Sequence, residues 1–228
     1  MQARSLKDAL YEQVARVGKA LSSPKRLEVL ELLSQGEKTV EQLAEQARAD
    51  VRLISAHLRT LREARLVQSR REGTFMHYRL SGRDVGHLLV HVRDVATEHL
   101  VELRLALDQM TAHPATLTGV RREQLLDRAR SGDVVVIDVR PLREYETARL
   151  PFARSMPIEE LERRISELPK DKEIVAYCRG PFCLLSNEAV ALLRSRGYHA
   201  RKITDGVAEW QSAGLPIEAE SEGTGEKA

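Results

Sequence analysis

VRLISAHLRTLREARLVQSRREGTFMHYRL, residues 51–80, changes period halfway along. Val51, Ile54, Leu58 and Leu61 recur at helical spacing, with Arg52, Ser55, His57, Arg59 and Arg62 largely on the other sides. Beyond Glu63 the period shortens. LVQSRR and TFMHYRL are rich in β-formers and flank Glu72-Gly73, which predicts a hairpin. Upstream, Thr39 with Gln42 three residues on is a capping-box pattern opening the helix TVEQLAEQA, and a short turn at Arg48–Asp50 follows it. Two helices a few residues apart, the second basic on its outer face, form a helix-turn-helix pattern, followed here by an arginine-bearing hairpin. A basic helix of this kind fits the DNA major groove, with Arg70 and Arg71 reaching the backbone or minor groove beside it. A protein-interaction helical domain is the alternative.

Working outward, Leu6, Leu10, Val14, Val17 and Leu21 predict a first helix, and SSPKRLEVLELL a second, with serines as candidate caps before Pro24. From Arg83 to Met110 one long helix is expected, with Val85, Leu88, Leu89, Val92, Val95, Leu100, Leu103 and Leu107 on its apolar face. That is more apolar surface than one exposed helix carries, so burial against a second copy, a homodimer, is expected.

Charge follows the same division. Lys and Arg number 18 against 15 acids in residues 1–115, and 18 against 19 in residues 116–228. Residues 48–83 concentrate nine arginines against three acids, which suggests a phosphate-facing surface, although a solvated charged face looks similar. With 228 residues, two domains each able to bury a core are reasonable. The N-terminal stretch mixes charges among its apolar residues, unlike a signal peptide, and no apolar run approaches membrane-spanning length. The expectation is a cytoplasmic protein with no membrane partner.

Residues 111–118, with Pro114 and Gly119 as punctuation, are the candidate linker between a domain at 1–110 and another at 119–218. The polar tail 219–228 is expected to be disordered. In the second domain, strand runs VVVID (134–138), EIVAYC (173–178) and HARKI (199–203) alternate with helical runs IEELERRISEL, SNEAVALLRSRG and GVAEWQSAG. That alternation predicts a parallel sheet covered on both faces. Its two cysteines, Cys178 and Cys183, flank Arg179-Gly180-Pro181-Phe182. In a parallel sheet, ligands bind at the carboxyl ends of strands, and Cys178 ends such a strand. Loop amides, a following helix N-terminus near Ser186 and the cation of Arg179 would favour a thiolate. Gly180 lets the loop turn inward and Pro181 fixes part of its path. Without that loop, Cys178 would read as a buried strand-end thiol.

The stretch LSSPKRLEVLELLSQGEKTVEQLAEQARADVRLISAHLRTLREARLVQSRREGTFMHYRLS resembles the winged helix-turn-helix of the ArsR family of bacterial repressors, over roughly residues 8–108. The resemblance implies a dimer that binds double-stranded operator DNA, with Ser55, His57, Arg59 and Thr60 in the recognition helix and Arg70 and Arg71 in the wing. Arg52 joins them on charge and position. Many members of that family sense metals through cysteines in the helix before the recognition helix, but EKTVEQLA has none. Asp84, His87, His91 and His99 lie on the long helix; His87 and His91 are one turn apart, which is ligand spacing, but the remaining spacings do not match the family's second metal site. No metal and no cofactor is expected.

VVVIDVRPLREYE, the Arg-Leu-Pro-Phe-Ala run at 149–153, AYCRGPFC and DGVAEWQSAGLPI together resemble the rhodanese domain over about residues 115–218. The resemblance implies that Cys178 accepts sulfur from a small donor (thiosulfate, polysulfide or persulfide), with Arg179 to Cys183 supplying amides to the resulting persulfide. Asp138 and Arg140 match an early motif and read as structural. Phosphatases of this fold carry an arginine six positions after the cysteine, where this chain has Leu184. Cys183 is either a resolving thiol or a packing residue. Three functions are therefore expected to compete: a repressor that senses or processes sulfane sulfur, a thiosulfate sulfurtransferase with an autoregulatory DNA-binding half, and an arsenite-responsive repressor using both cysteines.

Overall fold

The computed structural model describes residues 2–111 and 117–219. Most of the expected linker, and the tail beyond residue 219, lie outside the described residues. The chain divides into two compact units at Leu89/Val90, inside one helix.

The first unit runs α1 (Gln2–Leu21), α2 (Pro24–Ser34), β1 (Lys38–Thr39), α3 (Val40–Gln46), α4 (Val51–Glu63), β2 (Val67–Glu72), β3 (Phe75–Leu80) and the start of α5 (Arg83–His99). Pro24 opens α2 behind Ser23, whose side chain makes no capping bond. Thr39 and Gln42 close the expected capping box on α3, two backbone donors satisfied reciprocally. Asp50 caps α4 by accepting from the amides of Arg52 and Leu53. Ile54, Leu58 and Leu61 turn into a core shared with Val29, Leu30, Leu33 and Leu43. Each fully buried leucine there contributes roughly 1.5–3 kcal/mol over an exposed one. The hairpin forms as expected, with Glu72 opposite Phe75, and β1 adds a third antiparallel strand through Lys38–Tyr78 and Thr39–His77.

The second unit continues α5 and adds α6 (Val101–Thr111), so the single helix expected to Met110 is broken at Leu100, with no glycine or proline at the break to announce it. Then follow α7 (Arg122–Ser131), β4 (Val134–Asp138), α8 (Leu142–Thr147), β5 (Ala148–Arg149), β6 (Arg154–Ser155), α9 (Ile158–Arg164), a 3-10 turn (Ile165–Glu167), β7 (Glu173–Tyr177), α10 (Leu185–Ser195), β8 (Ala200–Lys202), α11 (Val207–Ser212) and β9 (Glu218–Ala219). β6, β4, β7 and β8 form, in that order, one wholly parallel sheet, four strands where the sequence pattern marks three. β5 and β9 pair separately.

Strand alternation sorts the sheet's side chains onto two buried faces. Val135, Ile137, Ile174, Ala176, Cys178 and Ala200 pack with Leu161, Val190 and Leu193. Val134, Val136, Val175 and Tyr177 pack with Leu125, Val207 and Trp210. Among the described residues no helix is long and apolar enough to cross a membrane.

Candidate functional site

In the second unit, β7 delivers Cys178 to the carboxyl edge of the sheet. Gly180-Pro181-Phe182-Cys183 forms a tight turn closed by the Cys183 amide donating to the Gly180 carbonyl at 3.1 Å. Gly180 has φ +149, a region that side-chain-bearing residues rarely enter. Gly206 is the other position where only glycine fits. A Cβ there would sit 2.7 Å from the Cys178 carbonyl oxygen and closer still to the Arg179 carbonyl. The backbone that carries the thiol is thus wedged directly against the loop leading into α11.

Cys178 is 2% exposed, and its sulfur lies 3.3 Å from Ser186 Oγ and 3.6 Å from the Cys183 carbonyl oxygen. Its pKa falls to about 6, chiefly through a hydrogen bond from the Cys183 thiol, then through the Ser186 hydroxyl and the backbone of Ser186 and Gly180, against the opposing effect of burial. Cys183, half-buried, is pushed in the opposite direction by donating to Cys178 and by its own burial, so it keeps the proton. One thiol of the pair is charged at neutral pH and the other holds it. The charged one is the nucleophilic form.

Arg179 follows Cys178 in the chain, yet its guanidinium pairs with Glu144 at 2.8 and 2.9 Å. The cation expected to act on the thiol is matched by a buried carboxylate on α8. Phe182 is exposed, and Arg93 from α5 stands over its ring at 5.4 Å while pairing with buried Glu209 of α11. Glu209 also accepts from the Gly206 amide at 2.7 Å. Pro181 is half-buried. The turn thus brings together Cys178, Gly180 and Cys183, while Arg179 and Phe182 point to partners outside it.

On the opposite face of the sheet, Asp138 accepts from Arg140 Nε at 2.9 Å and Nη2 at 2.5 Å and from the Tyr177 hydroxyl at 2.5 Å, all three side chains being buried. Burial pushes the Tyr177 phenol up, so it stays a donor. Residue by residue, this network braces the end of β4 against β7.

Two contributors escape the sequence reading, and Ser186, legible there only as the start of a helix, also brings its hydroxyl to the thiol. Glu144 and Glu209 look like solvent-facing acids in short helical runs, and only the fold shows that they are 1% and 5% exposed.

In the first unit, Arg52, Ser55 and Arg59 of α4 are exposed, and His57 and Thr60 are half-buried. Ser55 and Thr60 donate their hydroxyls back to the carbonyls of Val51 and Ala56. Burial lowers the His57 pKa, helped by Arg26 and Lys25, so the imidazole is neutral at neutral pH. In the wing, Arg70 is gripped by Glu37 at 2.5–3.0 Å and by Glu72 at 2.5 Å, whereas Arg71 Nε donates to the Gly73 carbonyl at 3.1 Å. His87 is half-buried and His91 exposed, and among the described residues no three His, Cys, Asp or Glu gather in a metal-binding group.

A three-stranded wing packed on a two-helix reader, followed by a parallel sheet with a cysteine loop, defines a winged helix-turn-helix regulator domain joined to a rhodanese-like module. Comparison with known proteins agrees. Residues 23–69 match the bacterial regulatory protein, arsR family, and residues 121–213 match the rhodanese-like domain. HTH-type transcriptional regulator Rv0324 of Mycobacterium tuberculosis is 42% identical over 93% of this chain and 93% of its own. A sulfurtransferase of Allochromatium vinosum is 35% identical over 40% of this chain and 84% of its own. The homodimeric winged helix-turn-helix DNA-binding domain (fragment 1–100) of a possible ArsR-family regulator from Mycobacterium bovis is 48% identical, with a TM-score of 0.40, over 42% of this chain and 89% of that one. The chain belongs to the ArsR-family HTH-type transcriptional regulators that carry a C-terminal rhodanese-like domain.

Proposed function

We propose that this regulator is a homodimeric, cytoplasmic repressor whose binding to operator DNA depends on the sulfur state of Cys178. The observation that carries the reading is the thiol pair: Cys178 buried at a strand end with its pKa down at about 6, and Cys183 protonated beside it. The thiolate attacks the outer sulfur of thiosulfate. A Cys178–sulfur bond forms, the donor's S–S bond breaks, and its electron pair leaves with sulfite, giving a Cys178 persulfide. The Cys183 sulfur then attacks Cys178 Sγ, its proton leaving with the outer sulfur as hydrosulfide, and a Cys178–Cys183 disulfide remains. Atoms and charge balance in both steps, and no further oxidant is needed.

DNA binding is assigned to Arg52, Ser55, His57, Arg59 and Thr60 on α4 and to Arg70 and Arg71 in the wing. Two apolar faces support the dimer. Leu6, Leu10, Tyr11 and Val14 of α1 are 61–68% exposed, and Val95, Leu100, Val101 and Leu105 are 52–60% exposed. The related domain from Mycobacterium bovis is described as homodimeric.

The deciding experiment joins two measurements on one sample: mass spectrometry of the intact protein after polysulfide treatment, and operator binding. Persulfidation should change DNA affinity in the wild type and not in Cys178→Ser, and equal binding curves with and without donor would sink the coupling. The relationship to a sulfurtransferase favours a second reading, an enzyme first, whose DNA-binding half regulates its own operon. Sustained conversion of thiosulfate and cyanide to thiocyanate, with DNA affinity indifferent to persulfidation, would select it.

A further inference from the structure

Around the cysteine loop, the charged side chains on neighbouring elements come in matched pairs. Arg179 is held by Glu144, Arg93 by Glu209, Arg122 by Asp205, and Arg140 by Asp138. Lys202, at the end of β8, breaks the rule. It is 5% exposed, and among the described residues its ammonium pairs with no carboxylate. A buried ammonium without a counter-charge is costly, and an isolated one is retained where something offsets the desolvation.

Its placement shows what does. Lys202 is in parallel register with Ala176, two residues before Cys178, and shares its strand face with Ala200, which packs on the Cys178 face. Its backbone is fixed from both sides: β7 flanks one edge, while Leu117 bridges to it on the other and the Thr118 amide donates to its carbonyl at 2.9 Å. The side chain therefore rises on the face that holds both thiols. Burial lowers its pKa, and the charge of the Cys178 thiolate opposes that fall, a mutual attraction between the lysine and the loop.

We propose that Lys202 is the positioning cation of the sulfur site: from the neighbouring strand it holds the Cys178 thiolate, and then the persulfide anion, and draws in an anionic sulfur donor. The matching of Arg179 by Glu144 leaves this work to a residue twenty-three positions further along the chain. The persulfide part of the assignment rests on the function proposed above, but the thiolate part does not.

The test is a reagent-free titration of thiolate absorbance at about 240 nm on the full chain, each variant read against its own Cys178→Ser background, followed by thiosulfate loading read by intact mass. Lys202→Met should move the Cys178 midpoint upward, reducing the thiolate fraction at pH 7 by about twofold. It should also slow sulfur loading further than that loss accounts for, and Lys202→Arg should restore both. A midpoint unchanged in a folded Lys202→Met overturns the proposal. If Lys202→Met does not fold, Lys202→Gln and Lys202→Arg take its place: the neutral glutamine must raise the midpoint relative to arginine, and equal midpoints refute the assignment. Should the wild type titrate as expected yet never accept sulfur, the sulfur reading fails while the role of Lys202 toward the thiolate stands.

Discussion

The guanidinium of Arg179, one residue beyond Cys178, donates to both carboxylate oxygens of Glu144, which is 1% exposed. A bidentate pair so nearly buried holds geometry more than it supplies charge. It ties the cysteine loop to α8. Arg179→Ala should therefore cost about 3 kcal/mol, because it strands the carboxylate of Glu144. Trp210, the only tryptophan and 1% exposed in the same unit, reports the loss by fluorescence in a denaturant titration. Arg179→Lys should recover only part of it, since an ammonium does not reproduce the two parallel bonds.

Stability should depend on pH through Cys178. Its folded pKa of about 6 lies below the ordinary thiol value of 9.0, so the folded state binds fewer protons than the unfolded state between those values. The contribution is fully present above pH 9 and is lost as the pH falls through 6. Denaturation midpoints measured from pH 6 to 9 should rise in the wild type. In Cys178→Ala that part of the slope should vanish.

Gly206→Ala tests the wedge under the loop. The backbone φ of −108° suits any residue, so the harm is purely steric: the new methyl meets the carbonyls of Cys178 and Arg179, which cannot swing away as a side chain would. Overpacking of this kind costs about 1–3 kcal/mol. Displacement of the loop should also raise the midpoint of Cys178 thiolate formation, measured by the same absorbance titration.

The wing should contribute unequally to DNA binding. Arg71 has no carboxylate partner among the described residues, whereas Arg70 already satisfies Glu37 and Glu72. In fluorescence anisotropy with a random duplex, Arg71→Ala should lower the slope of log affinity against log salt by about 0.9 for each phosphate that is no longer neutralised. Arg70→Ala should change it less. Equal slopes for the two variants would contradict this division.

How much was legible in advance follows the range of the interactions involved. Residues 51–80 announce helix, turn and hairpin because helical and strand periods and the Glu72-Gly73 turn are local signals, and Thr39 with Gln42 names a cap within one turn of chain. The three longest buried strand runs are legible for the same reason. β6 is missed because two residues, Arg154 and Ser155, carry no period, and α7 because RREQLLDRARS is dominated by charge. At the site, Cys178 and its loop can be found in sequence. The fate of Arg179 cannot, because Glu144 lies thirty-five residues away. Lys202 hides for a related reason: a lysine in a three-residue strand reads as an edge charge until the register sets it beside Ala176.

The depth of Cys178 has a further consequence, one of bulk. With its sulfur shielded by the loop and by the start of α10, the reactive atom is reached by a carrier of a few atoms and not by a large disulfide or a folded partner's thiol. Cys183, more open to solvent, is the sulfur the surroundings meet first, yet it is the one that keeps its proton. On the proposed function, such a protein sorts its callers by size before it sorts them by chemistry: bulky thiols and disulfides are turned away while a small sulfur anion is admitted.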